Sequence, residues 1–250
     1  MTKSLQGIGI AITRPVDQAH KLSQLIEDAG GEVVSFPLIE ITGLHDYSEF
    51  ETVIANIAAY HWIIFISSNA VQHGMPRLLQ RGIPSALKFA AIGPVTAQAL
   101  QTFGVEQVLT PKDRFDSESL LSLPDMQDMK DKSVMIVRGV GGREVLAHTL
   151  TARGAKVTFA ECYQRINPQT NCQILEQAYA QQKLHAVVVT SSEAMRHLLD
   201  LAQGSAWLQH VTLCVNHTRI AEQPLALGLQ VRIAEAPGDA AMMQTLLNTQ

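Results

Sequence analysis

The chain has 250 residues, of which 46% are hydrophobic and 17% charged, with a formal charge of −4. That is apolar enough for two ordinary domains with a core each, and too apolar for a disordered chain. The acidic balance, with no basic run or stripe, excludes broad nucleic-acid binding, so any anionic ligand has to be met by a local cluster of donors.

A short apolar strand is predicted in GIGIAIT at 7–13, followed by Arg14, Pro15 and a helix over 17–29. Pro15 at the helix start and Gly30-Gly31 at its end fit the usual asymmetry of helix termini. Strands follow at Val33, Val34 and Phe36 and at 38–42, then a helix over 50–57 and a buried strand over 62–66. That strand runs straight into Ser67, Ser68, Asn69 and a helix that stops at Arg81-Gly82. Next come a strand at 89–92, the turn Gly93-Pro94, a helix over 96–103, a strand at 107–110 and a short helix at 117–123. Residues 123–132, rich in Pro, Asp and Met, read as a connector. The stretch 134–165 then runs strand, glycine-rich turn, helix, Gly154 stop and second strand. Helices at 174–181, up to 202, at 219–227 and from 239 alternate with strands at 186–189, 211–215 and 229–233. Such alternation predicts an α/β fold with parallel sheets flanked by helices.

The grammar repeats. Arg138 lies 124 residues after Arg14, and the same interval separates Gly30 from Gly154, Ser67-Ser68 from Ser191-Ser192, Ala70 from Ala194 and Gly104 from Gly228. This is an internal duplication. Taken alone it suggests contiguous halves cut near Asp125, two similar lobes with a ligand cleft between them.

In open parallel sheets, ligands collect at the carboxyl ends of strands, beside helix starts with unpaired backbone N–H groups. Four corners carry donors suited to carboxylate or phosphate: Thr13-Arg14, Ser67-Ser68-Asn69, Arg138 to Arg143, and Thr190-Ser191-Ser192. The bland alternatives are helix capping for the serine pairs and surface ion pairs for Arg14 and Arg138. Gly139, Gly141 and Gly142 invite a nucleotide site, but Glu144 stands where G-x-G-x-x-G needs its third glycine, and there is no GK[ST]. In the strand that ends the 134–165 stretch, Glu161, Tyr163 and Arg165 alternate with their neighbours, so a phenol and a cation are predicted to share a face. The phenol keeps its proton at neutral pH and suits a proton donor, although a half-buried structural aromatic is the plainer interpretation. Cys162, Cys172 and Cys214 lack CxxC spacing and the nine histidines lack HExxH, so neither a disulfide framework nor a metal centre is expected. No stretch approaches the roughly eighteen apolar residues of a membrane span, and the N-terminus has no signal-peptide cleavage pattern, so a cytoplasmic protein is expected.

Six segments in order resemble the uroporphyrinogen-III synthase family: ITRP at 12–15, FPLIEI at 36–41, IGPVTAQAL at 92–100, RGVGGREVL at 138–146, ECYQR at 161–165 and VTSSEAMRHL at 189–198. The SSNAV block at 67–71 is also similar; Asn216-His217-Thr218 departs from a Gly-Pro-Thr turn common in the family. The resemblance implies two α/β lobes, residues 1–36 plus 168–250 and residues 43–162, joined by paired β linkers at 37–42 and 163–167, with the active-site cleft between lobes. It implies a cofactor-independent lyase that closes hydroxymethylbilane to uroporphyrinogen III in tetrapyrrole biosynthesis. Tyr163 matches the family's implicated tyrosine. Substrate carboxylates would be held by Arg14, Ser67, Ser68, Asn69, Thr96, Arg138, Gly141, Gly142, Ser191, Ser192 and Thr218. A monomer is expected, with transient contact with the preceding hydroxymethylbilane synthase and with neither nucleic acid nor membrane as partner. The competing reading is a binding module that captures an anionic metabolite in its cleft and does no chemistry; corner chemistry does not separate the two.

Overall fold

A computed structural model describes residues 4–249 of the chain. The elements are β1 (Gly9–Ile12), α1 (Val16–Asp28), β2 (Glu32–Ser35), β3 (Glu40–Gly43), α2 (Ser48–Ile54), β4 (Trp62–Phe65), α3 (Ser68–Arg81), β5 (Lys88–Ala91), α4 (Pro94–Gln101), β6 (Val108–Leu109) and α5 (Ser117–Leu121). They continue as β7 (Ser133–Gly139), α6 (Val145–Ala152), β8 (Lys156–Ile166), α7 (Gln173–Ala180), β9 (Ala186–Val189), α8 (Ser192–Leu201), β10 (Thr212–Val215), α9 (Thr218–Ala226), β11 (Val231–Ile233) and α10 (Asp239–Leu247).

The predicted α/β alternation is present throughout, and the differences lie at element ends. The third strand begins at Glu40 instead of 38, because Leu38 is buried and its N–H donates to Thr13 O at the end of β1. The expected connector at 123–132 is a packed segment. It contains a 3-10 turn at Pro124–Met126, buries Met126 and Met129, and is held by Arg153, which donates to Leu121 O and Met126 O at 2.7 Å each.

The chain divides into two compact units, one comprising the described residues up to Glu40 and from Ile166 onward, the other Ile41–Arg165. The first holds a five-stranded sheet in the order β11-β10-β9-β1-β2; the second holds a six-stranded sheet in the order β3-β8-β7-β4-β5-β6. Shifted by 124 residues, β2, β1, β9, β10 and β11 fall on β8, β7, β4, β5 and β6, so the two sheets share one strand order. Their registers follow: Gly9 pairs with Glu32 as Ser133 does with Lys156, and Ile10 pairs with Ala186 as Val134 does with Trp62, all in parallel. Contiguous halves are therefore not what the chain forms, because each sheet takes strands from both copies.

Burial explains why the strands read as unbroken apolar runs. All four residues of β4, WIIF, and of β9, AVVV, are buried, as expected for parallel strands covered on both faces. In the second unit Ile63, Phe65, Met135 and Val137 pack with Phe50 and Ile54 of α2 and with Ala70, Val71, Met75 and Leu78 of α3. The alternate positions Trp62, Ile64, Val134 and Ile136 pack with Leu120 and Leu121 of α5 and with Leu146 and Leu150 of α6. In the first unit Ile10, Ile12, Ala186 and Val188 meet Leu22 and Ile26 of α1 and Met242 and Leu246 of α10. Each such leucine or isoleucine contributes about 1.5–3 kcal/mol of transfer free energy, which holds the strand ends in place for the site. Among the described residues, no helix is long and apolar enough to cross a membrane.

Candidate active site

The corner at the end of β4 is built from a helix cap. Ser67 is extended (φ −166°, ψ 160°), and its Oγ accepts the Ala70 N–H at 3.0 Å, satisfying one of the orphan donors of α3. The same hydroxyl lies 3.2 Å from Tyr163 Oη. Tyr163 is only 2% exposed. Its ring stacks on His73 of α3 with centroids 5.8 Å apart and an interplanar angle of 28°. Also beside the ring is Gly139, where a Cβ would come within 2.6 Å of the ring carbons Cε2 and Cζ. The tyrosine thus occupies a slot that only glycine leaves open. Burial holds the His73 imidazole pKa below its ordinary value, favouring the neutral ring.

The predicted sharing of one face by Glu161 and Tyr163 does not hold. The β7–β8 ladder pairs Arg138 with Glu161 and then Gly139 with Tyr163, leaving Cys162 as an extra residue in a β-bulge. The bulge puts consecutive residues on one side: Cys162 and Tyr163 both join the cluster beneath α3, along with Ala160. Glu161 stays with Arg138, and Arg165 is exposed. The bulged residue is braced by Tyr47, whose hydroxyl donates to Cys162 O at 3.1 Å. Burial pushes the Cys162 thiol up to about 12, so it is not a nucleophile at neutral pH.

Arg138, at the end of β7, is 3% exposed. Its guanidinium lies 4.5 Å over the Phe159 ring, Nε donates to Gly139 O at 3.1 Å, and Glu161 Oε1 is 3.8 Å away. Glu161 also accepts the Gly141 N–H at 3.1 Å. Gly141 and Gly142 have φ of +71° and +104° and are exposed, and a Cβ on Gly142 would meet Arg138 Nη2 at 2.9 Å. The glycine-rich loop therefore folds back over the arginine. Ser68 and Asn69 are half-buried at the start of α3, and Thr96 is buried in the third position of α4. Tyr163, Ser67, Ser68, Asn69, Arg138, Gly141 and Gly142 thus lie at strand ends of one sheet.

The first unit holds the other candidates. Ser191 Oγ accepts the Ala194 N–H at 3.0 Å, repeating the Ser67 cap, and Ser192 Oγ is buried with no hydrogen-bond partner among the described residues. Arg14 is not free: Nε donates to Thr190 Oγ1 at 3.2 Å and Nη1 pairs with Asp239 at the start of α10. Thr218 is exposed at the first position of α9. The Asn216-His217 departure has a structural use, because His217 Nδ1 caps α9 by accepting the Arg219 N–H at 3.1 Å.

A sequence model of uroporphyrinogen-III synthase HemD matches residues 20–244. The chain belongs to the uroporphyrinogen-III synthase family. The uroporphyrinogen-III synthase of Escherichia coli is 34% identical over 245 residues, covering 96% of this chain and all of the relative. At the level of fold, this family member superposes on a mutant uroporphyrinogen III synthase from Thermus thermophilus with a TM-score of 0.63 at 15% identity, covering 97% of this chain and 98% of that one. The uroporphyrinogen-III synthetase of Helicobacter pylori gives 0.63 at 17% identity, covering 97% and 100%.

Four residues packed against the candidate side chains escape sequence reasoning: His73 and Gly139 beside Tyr163, Asp239 beside Arg14, and Phe159 beside Arg138. Asp239 alone carried a local signal, an acidic residue in a first helical turn. Chemically, the second-unit corner offers a held phenol, a second hydroxyl and helix-start donors.

Proposed function

We propose that the chain closes the linear tetrapyrrole hydroxymethylbilane to uroporphyrinogen III, inverting the terminal pyrrole ring through a spirocyclic intermediate and releasing water, without a cofactor. The observation that carries this is the Tyr163 hydroxyl, held 3.2 Å from Ser67 at a strand end in a chain of this family. Loss of the substrate's hydroxyl leaves an azafulvene cation, and without an enzyme the chain closes uninverted. The protein's work is then to make the substituted carbon of the terminal ring the nearer nucleophile, a positioning effect. Tyr163 donates a proton to the departing hydroxyl. The eight substrate carboxylates meet helix-start donors, with Ser68, Ser191, Ser192 and Thr218 as side-chain contacts, which suits a protein of formal charge −4. Thr96 is buried and contributes through the start of α4. The chain acts as a monomer, in transient contact with the synthase that supplies its labile substrate.

The test is incubation with hydroxymethylbilane and separation of the type I and type III products. Type III product is expected; type I alone overturns the function. Tyr163→Phe should lower the rate of type III formation about 10- to 100-fold, with some activity kept because the leaving group is labile. A full rate removes the tyrosine from the mechanism.

A further inference from the structure

The cap of α3 has one hydroxyl contact more than a cap needs. Ser67 Oγ has one O–H and two lone pairs, and one lone pair is engaged by the Ala70 N–H at 3.0 Å. Its other contact among the described residues is Tyr163 Oη at 3.2 Å. Serine and tyrosine together carry two protons and share one hydrogen bond, so one O–H of the pair is always left over. If Ser67 donates, the spare proton is the phenol's.

We infer that Ser67 is a positioning residue for Tyr163 and not a carboxylate ligand: anchored by the helix cap, it donates to the phenol oxygen and leaves the phenol proton for the substrate. This rests on the proposed role of Tyr163. As the substrate's C–O bond breaks, its electron pair goes to oxygen, which takes the phenol proton and leaves as water. The cation stays on the substrate and the negative charge on Tyr163 Oη. The Ser67 O–H then points at a tyrosinate, a stronger acceptor than the phenol, so its hydrogen bond tightens as the charge develops. The proton is returned when the closing pyrrole ring loses its own on rearomatising. An interaction that strengthens only in the transition state acts on kcat and leaves KM alone. Two features of the fold keep the pair aligned: His73 stacks on the ring and Gly139 leaves room for it.

The experiment measures kcat and KM for type III formation in Ser67→Ala, Ser67→Thr, Ser67→Asp, Tyr163→Phe and the Ser67→Ala/Tyr163→Phe double variant, with thermal melting of each. Ser67→Ala should lose about 10- to 100-fold in kcat, the worth of one hydrogen bond to a charged group, with KM within about twofold of the parent. Ser67→Thr should restore the rate. Ser67→Asp keeps the cap but cannot donate, so it should melt like the parent and stay as slow as Ser67→Ala. In the Tyr163→Phe background, Ser67→Ala should cost nothing further. The inference is overturned if Ser67→Ala runs at the parent rate, if its loss persists undiminished without the phenol, if the loss lies in KM, or if Ser67→Asp recovers full activity. Tyr163→Phe at full rate would instead overturn the role of the tyrosine itself.

Discussion

The two serine caps, Ser67 and Ser191, stand 124 residues apart and make the same contact, each accepting an N–H from an alanine three residues on at 3.0 Å. Among the described residues, only Ser67 reaches a tyrosine. The residue 124 positions before Tyr163 is Ile39, a buried aliphatic in the other unit. The two corners therefore share a helix start and differ in the hydroxyl set beside it. The arginines diverge in the same way. Arg14 is tied to Asp239 and Thr190, whereas Arg138 is sunk over Phe159 beneath a glycine loop. On the proposed function the first corner only holds substrate, whereas the second also supplies a proton.

The sharpest way to break this contrast is to evict the tyrosine without touching it. Gly139→Ala puts a Cβ within 2.6 Å of the ring, and a displacement of about an ångström in a reacting group can cost about 100-fold in rate. Type III formation should fall by that order while the far-ultraviolet spectrum is kept; an unchanged rate would mean the ring's place in the slot is irrelevant. The first corner should answer in affinity instead. The Ser191→Ala, Ser192→Ala double variant should weaken binding of the type III product by about tenfold, read by calorimetry, since one hydrogen bond to a carboxylate is worth about 1.5 kcal/mol or more. Unchanged affinity would remove these serines from the binding surface.

The smallest effect concerns His73. Its pKa is lower in the folded chain than in the unfolded one because burial disfavours the charged ring. The unfolded state therefore takes up the proton first, and the stability present above the ordinary histidine pKa is lost as pH falls through it. His73→Phe keeps the stack and removes the titration, so its melting temperature should fall less than the parent's between pH 7 and pH 5. Equal falls would show that His73 does not contribute to the acid sensitivity of this unit.

Much of the fold was legible in the sequence because parallel strands buried on both faces leave no ambiguity of pattern: WIIF and AVVV have nowhere to be but inside. The helix starts were legible too, since Ser67 and Ser191 are capping residues at the ends of apolar runs. The interleaving of the copies was not, because a repeat says which segments are alike and not which of them pair. Within the candidate site, the proposed role of the tyrosine came through resemblance, and its surroundings were not reached at all. Ser67 lies 96 residues from Tyr163 and Asp239 lies 225 from Arg14, so no local pattern joins them. His73 looks like any polar residue on a helix surface. The predicted face of Tyr163 was wrong for a physical reason: strict alternation assumes an unbroken ladder, and a bulge leaves no mark in composition.

The bulge at Cys162 also bears on how the two copies diverged. The interval of 124 residues is kept on both sides of it, from Arg14 and Arg138 through Ser67 and Ser191 to Gly104 and Gly228. No insertion or deletion was needed to turn Tyr163 toward its serine. A residue left unpaired in one strand, with Tyr47 taking up its carbonyl, redirected one side chain while every downstream landmark kept its place. An ungapped alignment of the two copies would thus pass over this difference in their geometry.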